Sequence, residues 1–181
     1  MKKSYKVLSI ISIVVFVCLS IFLIYEASMP AEVSSSHSGA VSGAIQDVTE
    51  KVESTVGGSG EVSESITNNW STFTHYVRKG IGHFGAFLVL ALVGTFGLVL
   101  QHKDKASGIL VSLVLGVSIA TITEFIQLHV PGRYGCYDDI ILDSSGYLVG
   151  MLLTLIVLLI AYAVKRVKNR KNEYNNKSLY C

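Results

Sequence analysis

Eight polar side chains are set between residues 79 and 143 in short groups: Lys79 and His83, then Glu124 and Gln127, then Arg133, Asp138, Asp139 and Asp143. A histidine close to carboxylates can take and return protons, or can hold a divalent ion with water positions left open. An arginine beside them can grip a carboxylate or phosphate through its planar fork. His83 and Glu124 are therefore the catalytic candidates, and all eight residues are binding candidates. No nucleophile signature accompanies them, neither Gly-x-Ser-x-Gly nor His-Glu-x-x-His nor a Cys pair. Cys136 lies next to the group, but nothing nearby in sequence marks it as an activated thiol. No cofactor is implied and no metal site is assigned.

The elements that must position these residues are apolar. Half of the 181 residues are hydrophobic (50%) and only 15% are charged, a balance that excludes an ordinary soluble domain. Crossing a hydrocarbon layer of about 30 Å takes about 20 apolar residues. Such runs occur at Val7 to Tyr25, Ile81 to Leu100, Ala106 to Leu128 and Ile140 to Val164. The expected fold class is all-α, an integral membrane four-helix bundle with both termini cytoplasmic and a long, partly helical extracytoplasmic loop. The first run is read as a retained anchor: its apolar core is longer than that of a cleaved signal, and Pro30 fits a cleavage site poorly. Cys18 follows Phe16 and Val17, not the small residues that lipoprotein processing requires, and no structural disulfide is expected.

Orientation follows from basic residues. Lys2, Lys3 and Lys6 precede the first span, Lys103 and Lys105 fill the short second loop, and Lys165, Arg166, Lys168, Arg170, Lys171 and Lys177 follow the last span. The longer segments on the other side hold only Lys51, Arg78, Lys79 and Arg133. The positive-inside rule then places the short loop and both ends in the cytoplasm. The domains expected are an anchor (1–25), an extracytoplasmic loop with amphipathic segments (26–77), a three-span membrane core (78–164) and a basic cytoplasmic tail (165–181). Within the loop, Ser34 to Gly43 reads as a Ser/Gly-rich stretch and Gly57 to Gly60 as a flexible hinge. Two apolar stripes at helical spacing, Val41 to Val56 and Val62 to Val77, suit the outer leaflet or a cap on the bundle. They also suit packing on each other.

Small residues predict which faces of the spans meet. Ser112, Gly116 and Ala120 recur every four residues and lead to Glu124, while Gly146 and Gly150 continue back through Asp143 to Asp139. His83 and Phe87 sit one turn apart, with Gly94 and Gly97 further down nearly the same side. The polar residues thus extend the contact faces and should point into the bundle, where a carboxylate needs a partner or a wet cavity.

Taken in order, Lys79-x-x-x-His83-Phe84-x-x-Phe87, Glu124-x-x-Gln127, Pro131-Gly132-Arg133 and Asp138-Asp139-x-x-x-Asp143-x-x-Gly146 resemble the VanZ-like family of small bacterial membrane proteins. The resemblance covers about Arg78 to Gly150. Family members often carry Asn where Asp143 stands here, and a polar outer segment like Ser34 to Ser38 is common among them. The resemblance implies a multi-pass protein of the bacterial plasma membrane, in a family whose named member confers low-level teicoplanin resistance and whose molecular activity is unsettled.

Several roles are consistent with these residues. The charges can simply neutralise one another and lock the helix ends. They can bind a cell-wall precursor or a lipoglycopeptide, masking it and lowering teicoplanin-type sensitivity. They can serve a membrane-embedded enzyme acting on a lipid-linked or peptidoglycan group. Transport is disfavoured because no polar pathway continues through the spans, though a homo-oligomer could supply one. Nucleic acid is not an expected partner, and the lipid bilayer is. His37, His75, His102 and His129 read as solvated residues.

Overall fold

The structure is a computed structural model that describes residues 3–133 and 135–178, so Lys2 and Cys181 lie outside the described residues. Every regular element among the described residues is helical: α1 (Lys3–Ala27), α2 (Ala31–Val56), α3 (Glu61–Asn68), α4 (Trp70–Val77), a π-helical stretch (Arg78–Gly85), α5 (Ala86–Gln101), α6 (Lys105–Gln127) and α7 (Tyr137–Ser178). Four stretches are long and apolar enough to cross a membrane: Tyr5–Ala27, Trp70–Gln101, Lys105–Gln127 and Tyr137–Lys171. They alternate in direction. The Ser9 hydroxyl, early in α1, donates to the Gly97 carbonyl late in α5 at 2.8 Å, and Lys165, late in α7, stands 6.0 Å from the Tyr5 ring. The start of α1 and the far part of α7 therefore share one end of the bundle.

Helix α5 is central and packs on α1, α6 and α7. Close approach does the work that apolar burial cannot do among lipid tails. A Cβ on Gly146 would collide with the Phe84 carbonyl, and one on Gly150 with the Leu88 carbonyl, so the α5–α7 seam has room only for glycine. Gly116 accepts the Tyr147 ring and Gly94 the Phe16 ring. Around these contacts Phe16, Phe87, Leu90, Ile119 and Tyr147 form the core. A hydroxyl chain crosses it, Thr95 to Ser112 at 2.7 Å and Ser112 to Tyr147 at 2.8 Å, tying α5, α6 and α7 together. Away from the seams, Ile10, Ile21, Leu110, Val114, Leu152 and Leu159 are exposed, as lipid-facing side chains should be.

The faces predicted from small residues are the buried ones. Ser112, Gly116, Ala120 and Glu124 are all buried along one side of α6. The segment after the first span departs from its expectation: the Ser/Gly-rich stretch is not a linker but the first half of α2. Low helix propensity there is offset by packing against α3 and α4. Ser38 and Ser42 donate to the carbonyls four residues back, at 3.0 and 2.8 Å, and Ser42 is fully buried. The predicted hinge is a turn: Gly57 and Gly60 have φ of 75° and 76°, which ends α2 and starts α3. Glu53 stabilises that turn by accepting from the Val62 and Ser63 amides at 3.0 and 3.2 Å. α2 to α4 thus fold as a helical hairpin that leads into the second span.

The second span is longer than expected. Its 32 residues measure about 48 Å at 1.5 Å per residue, against about 30 Å of hydrocarbon. Its first turns, in α4, pack beside α2 and α3.

Candidate functional site

The polar residues gather at the hairpin end of the bundle, and the π-helical stretch begins the site. Its sequence, Arg-Lys-Gly-Ile-Gly-His-Phe-Gly, is poor in helix-stabilising side chains, and the Ala86 amide that closes it reaches back five residues to the Ile81 carbonyl. Wider helical stretches of this kind are frequent at functional sites. Lys79 and His83 leave this stretch toward the first turns of α7. Lys79 Nζ donates to Asp139 Oδ1 at 2.6 Å, and His83 Nδ1 meets Asp143 Oδ1 at 3.1 Å. Both pairs span 60 residues, so they form two parallel rungs between the same helices. The Gly146 and Gly150 contacts continue that ladder down the bundle. Asp143 is 1% exposed, too dry for an unpaired carboxylate, and its imidazole partner is the reason it can be there.

Glu124 enters from α6 on the other side and is 2% exposed. Its Oε2 accepts from the Cys136 amide at 3.2 Å, which anchors the loop before α7 to the end of α6. That loop passes so close that a Cβ on Gly135 would meet Leu128 and the Glu124 carbonyl. Glu124 Oε1 has no hydrogen-bond partner among the described residues. His83, Glu124 and Asp139 each present an atom within 4.8 Å of the others.

Arg133 is placed differently. Its guanidinium donates to the Glu26 and Ala27 carbonyls at 3.2 and 3.1 Å and to the Ser34 hydroxyl. These are carbonyls left open at the end of α1, a usual place for a cation. Burial, followed by repulsion from Arg78, lowers the Arg133 pKa, yet a guanidinium stays charged at any physiological pH. No carboxylate of the site is paired with it. Gln127 lines the neighbouring cavity, whereas Asp138 is exposed at the start of α7, close enough for its charge to act on Lys79.

That cavity measures about 320 Å³ and lies between α1, α2, the π-helical stretch and α6. Phe22, Leu23, Val41, Ile81 and Phe87 give it an apolar wall. Glu26, His37, Arg78, His83, Arg133 and Asp143 supply its charge. Sequence reasoning missed the contributions of α1 and α2. His37, read as solvated, is exposed but meets Glu26 at 3.2 Å on the cavity rim. One signal was available: Phe22, Leu23 and Glu26 share one side of the first span at i, i+1 and i+4, beside the Ser34 and Ser38 positions that follow.

Four apolar helices with a charged cluster and a cavity at one end define a multi-pass, all-helical membrane protein. The sequence profile of the VanZ/LLP1 family matches residues 12–159, most of the chain and well beyond the span of the motifs, and the chain belongs to that family. No curated protein and no solved structure matches it.

Proposed function

We propose that the chain binds an envelope amphiphile at the outer face of the bacterial plasma membrane, and by masking it lowers sensitivity to teicoplanin-type antibiotics. The observation that supports this reading is the cavity: an apolar wall together with charged lining groups suits a molecule with an acyl chain and an anionic head. Its volume of about 320 Å³ is at the small end of ligand sites, which run from about 300 to 1,000 Å³. It can take an acyl segment or a headgroup, and it is too small to enclose a whole glycopeptide. The ligand is then the lipid chain or head of a cell-wall precursor, or the acyl arm of a lipoglycopeptide. The outward orientation rests on the basic residues at the opposite end.

A second reading has its own support. Asp143 holds the His83 imidazole as an orienting carboxylate holds a general base, and Glu124 keeps a carboxylate oxygen unpartnered nearby. A membrane-embedded enzyme acting on a lipid-linked or peptidoglycan group would use His83 and Glu124 as base and acid. It would have to do so without Arg133 as anion clamp, because that side chain is engaged with α1.

Wild type, Ala86→Phe, which narrows the cavity, His83→Ala and Glu124→Gln, expressed at matched membrane levels, decide between these. Binding predicts that Ala86→Phe loses protection against the antibiotic while the mass profile of cell-wall precursors stays the same in every strain. A precursor species formed by wild type and missing with His83→Ala and Glu124→Gln would replace binding with catalysis.

A further inference from the structure

We propose that His83, Glu124 and Asp139 form a binding site for one divalent transition-metal ion. Each of the three is held by a neighbour at one atom, which leaves another atom for a ligand. His83 Nδ1 is fixed by Asp143, so Nε2 is the available nitrogen. Glu124 Oε2 is fixed by the Cys136 amide, and Oε1 is buried without a partner among the described residues. Asp139 Oδ1 is fixed by Lys79, so Oδ2 is the available oxygen. Outer partners of this kind orient the ligands of metal sites, and a carboxylate behind a ligating histidine is the commonest of them.

Charge points the same way. Three carboxylates, Glu124, Asp139 and Asp143, gather around one ammonium and one imidazole, and Glu124 and Asp143 are almost fully buried. A divalent cation supplies positive charge among them. It also gives Glu124 Oε1 the partner that a carboxylate inside a membrane protein requires. One imidazole and two carboxylates suit Zn²⁺ or Mn²⁺. Ligands about 2.0–2.1 Å from a tetrahedral ion stand about 3.4 Å apart, and the three residues each already offer a ligand atom within 4.8 Å of the others, so the ion must draw them closer by about an ångström. Three protein ligands leave a coordination position open toward the cavity that His83 also lines, where a phosphate or carboxylate of a bound amphiphile would fit. That last step rests on the binding reading of the cavity; the ion itself does not.

The test uses full-length protein in nanodiscs, with any histidine tag removed and metals stripped by chelator, dialysed against Zn²⁺ or Mn²⁺ and analysed for bound metal. Wild type and His75→Ala, which alters an exposed histidine outside the site, should bind one equivalent per chain. His83→Gln, Glu124→Gln and Asp139→Asn should each weaken binding by about tenfold or more. Co²⁺ substitution of wild type reads the ligands without any variant: bands of low-symmetry nitrogen and oxygen ligation with no thiolate charge transfer are expected. Substoichiometric binding by wild type, a thiolate band, or folded variants that bind as wild type does would each overturn the site. All of these measurements use ligand-free protein, so failure of the cavity reading leaves their outcome unchanged.

Discussion

At Gly150 the backbone of α7 lies against the Leu88 carbonyl, and the Ala91 methyl would stand 2.9 Å from any added Cβ. A bilayer gives helices little gain from burying apolar surface, so this contact, with its counterpart at Gly146, carries much of the α5–α7 association. Gly150→Val should therefore destabilise the bundle by about 1–3 kcal/mol, the usual cost of overpacking. Gly43 provides the contrast: it is helical, with nothing within 4 Å of its would-be Cβ. Gly43→Ala should raise stability by about 0.5–1 kcal/mol through helix propensity alone. Thermal melting in detergent should show opposite shifts, and equal shifts would mean that the seam is not what holds the helices. The spacing of Asp139, Asp143, Gly146 and Gly150, at steps of four, three and four, makes this seam and its charged extension legible in the sequence, because such steps keep to one helix face. The role of Arg133 was hidden. Its partners are backbone carbonyls more than 100 residues away, which carry no sequence signal of their own.

The first half of α2 and the π-helical stretch are where local sequence and tertiary structure disagree most. Serine and glycine suggest a linker in isolation, but a helix there gains from burial of Ser42 and from contacts with α3 and α4 such as Gln46 to Thr67 at 3.0 Å, while back-bonding only satisfies the serine hydroxyls. The widened turns from Arg78 to Gly85 had only their glycines as a signal. Glu53 offers a test of the hairpin. Its carboxyl pKa lies below the ordinary 4.5, first because of the Ser63 hydroxyl and then, against an opposing effect of burial, because of the Val62 and Ser63 amides. The folded value is the lower one. Its stabilisation is therefore complete above the unfolded value and lost as pH falls from there through the folded value. Hydrogen exchange at the Val62 and Ser63 amides should be faster in Glu53→Ala than in wild type at about pH 6, with the difference shrinking toward about pH 3. A difference that persists undiminished in acid would show that the turn does not depend on the carboxylate.

The charged cluster, the cavity and the hairpin share one end of the bundle, while the start of α1 and the late part of α7 share the other. Basic residues separate along that axis: Lys6, Lys103, Lys105 and the run from Lys165 to Lys171 belong to the end away from the cavity. Positive charge resists translocation, so that end should face the cytoplasm and the cavity should face outward. Two free thiols test this in one experiment. Cys136 is exposed in the loop beside Glu124, while Cys18 is exposed within the first span, where lipid excludes a water-soluble reagent. A membrane-impermeant maleimide applied to intact cells should label Cys136 and spare both Cys18 and the tail residue Cys181. Lysing the cells should add label only at Cys181. If intact cells label Cys181 and spare Cys136, the bundle is inverted, and a ligand of the cavity must then be sought on the cytoplasmic side and not among the precursors exposed to glycopeptides.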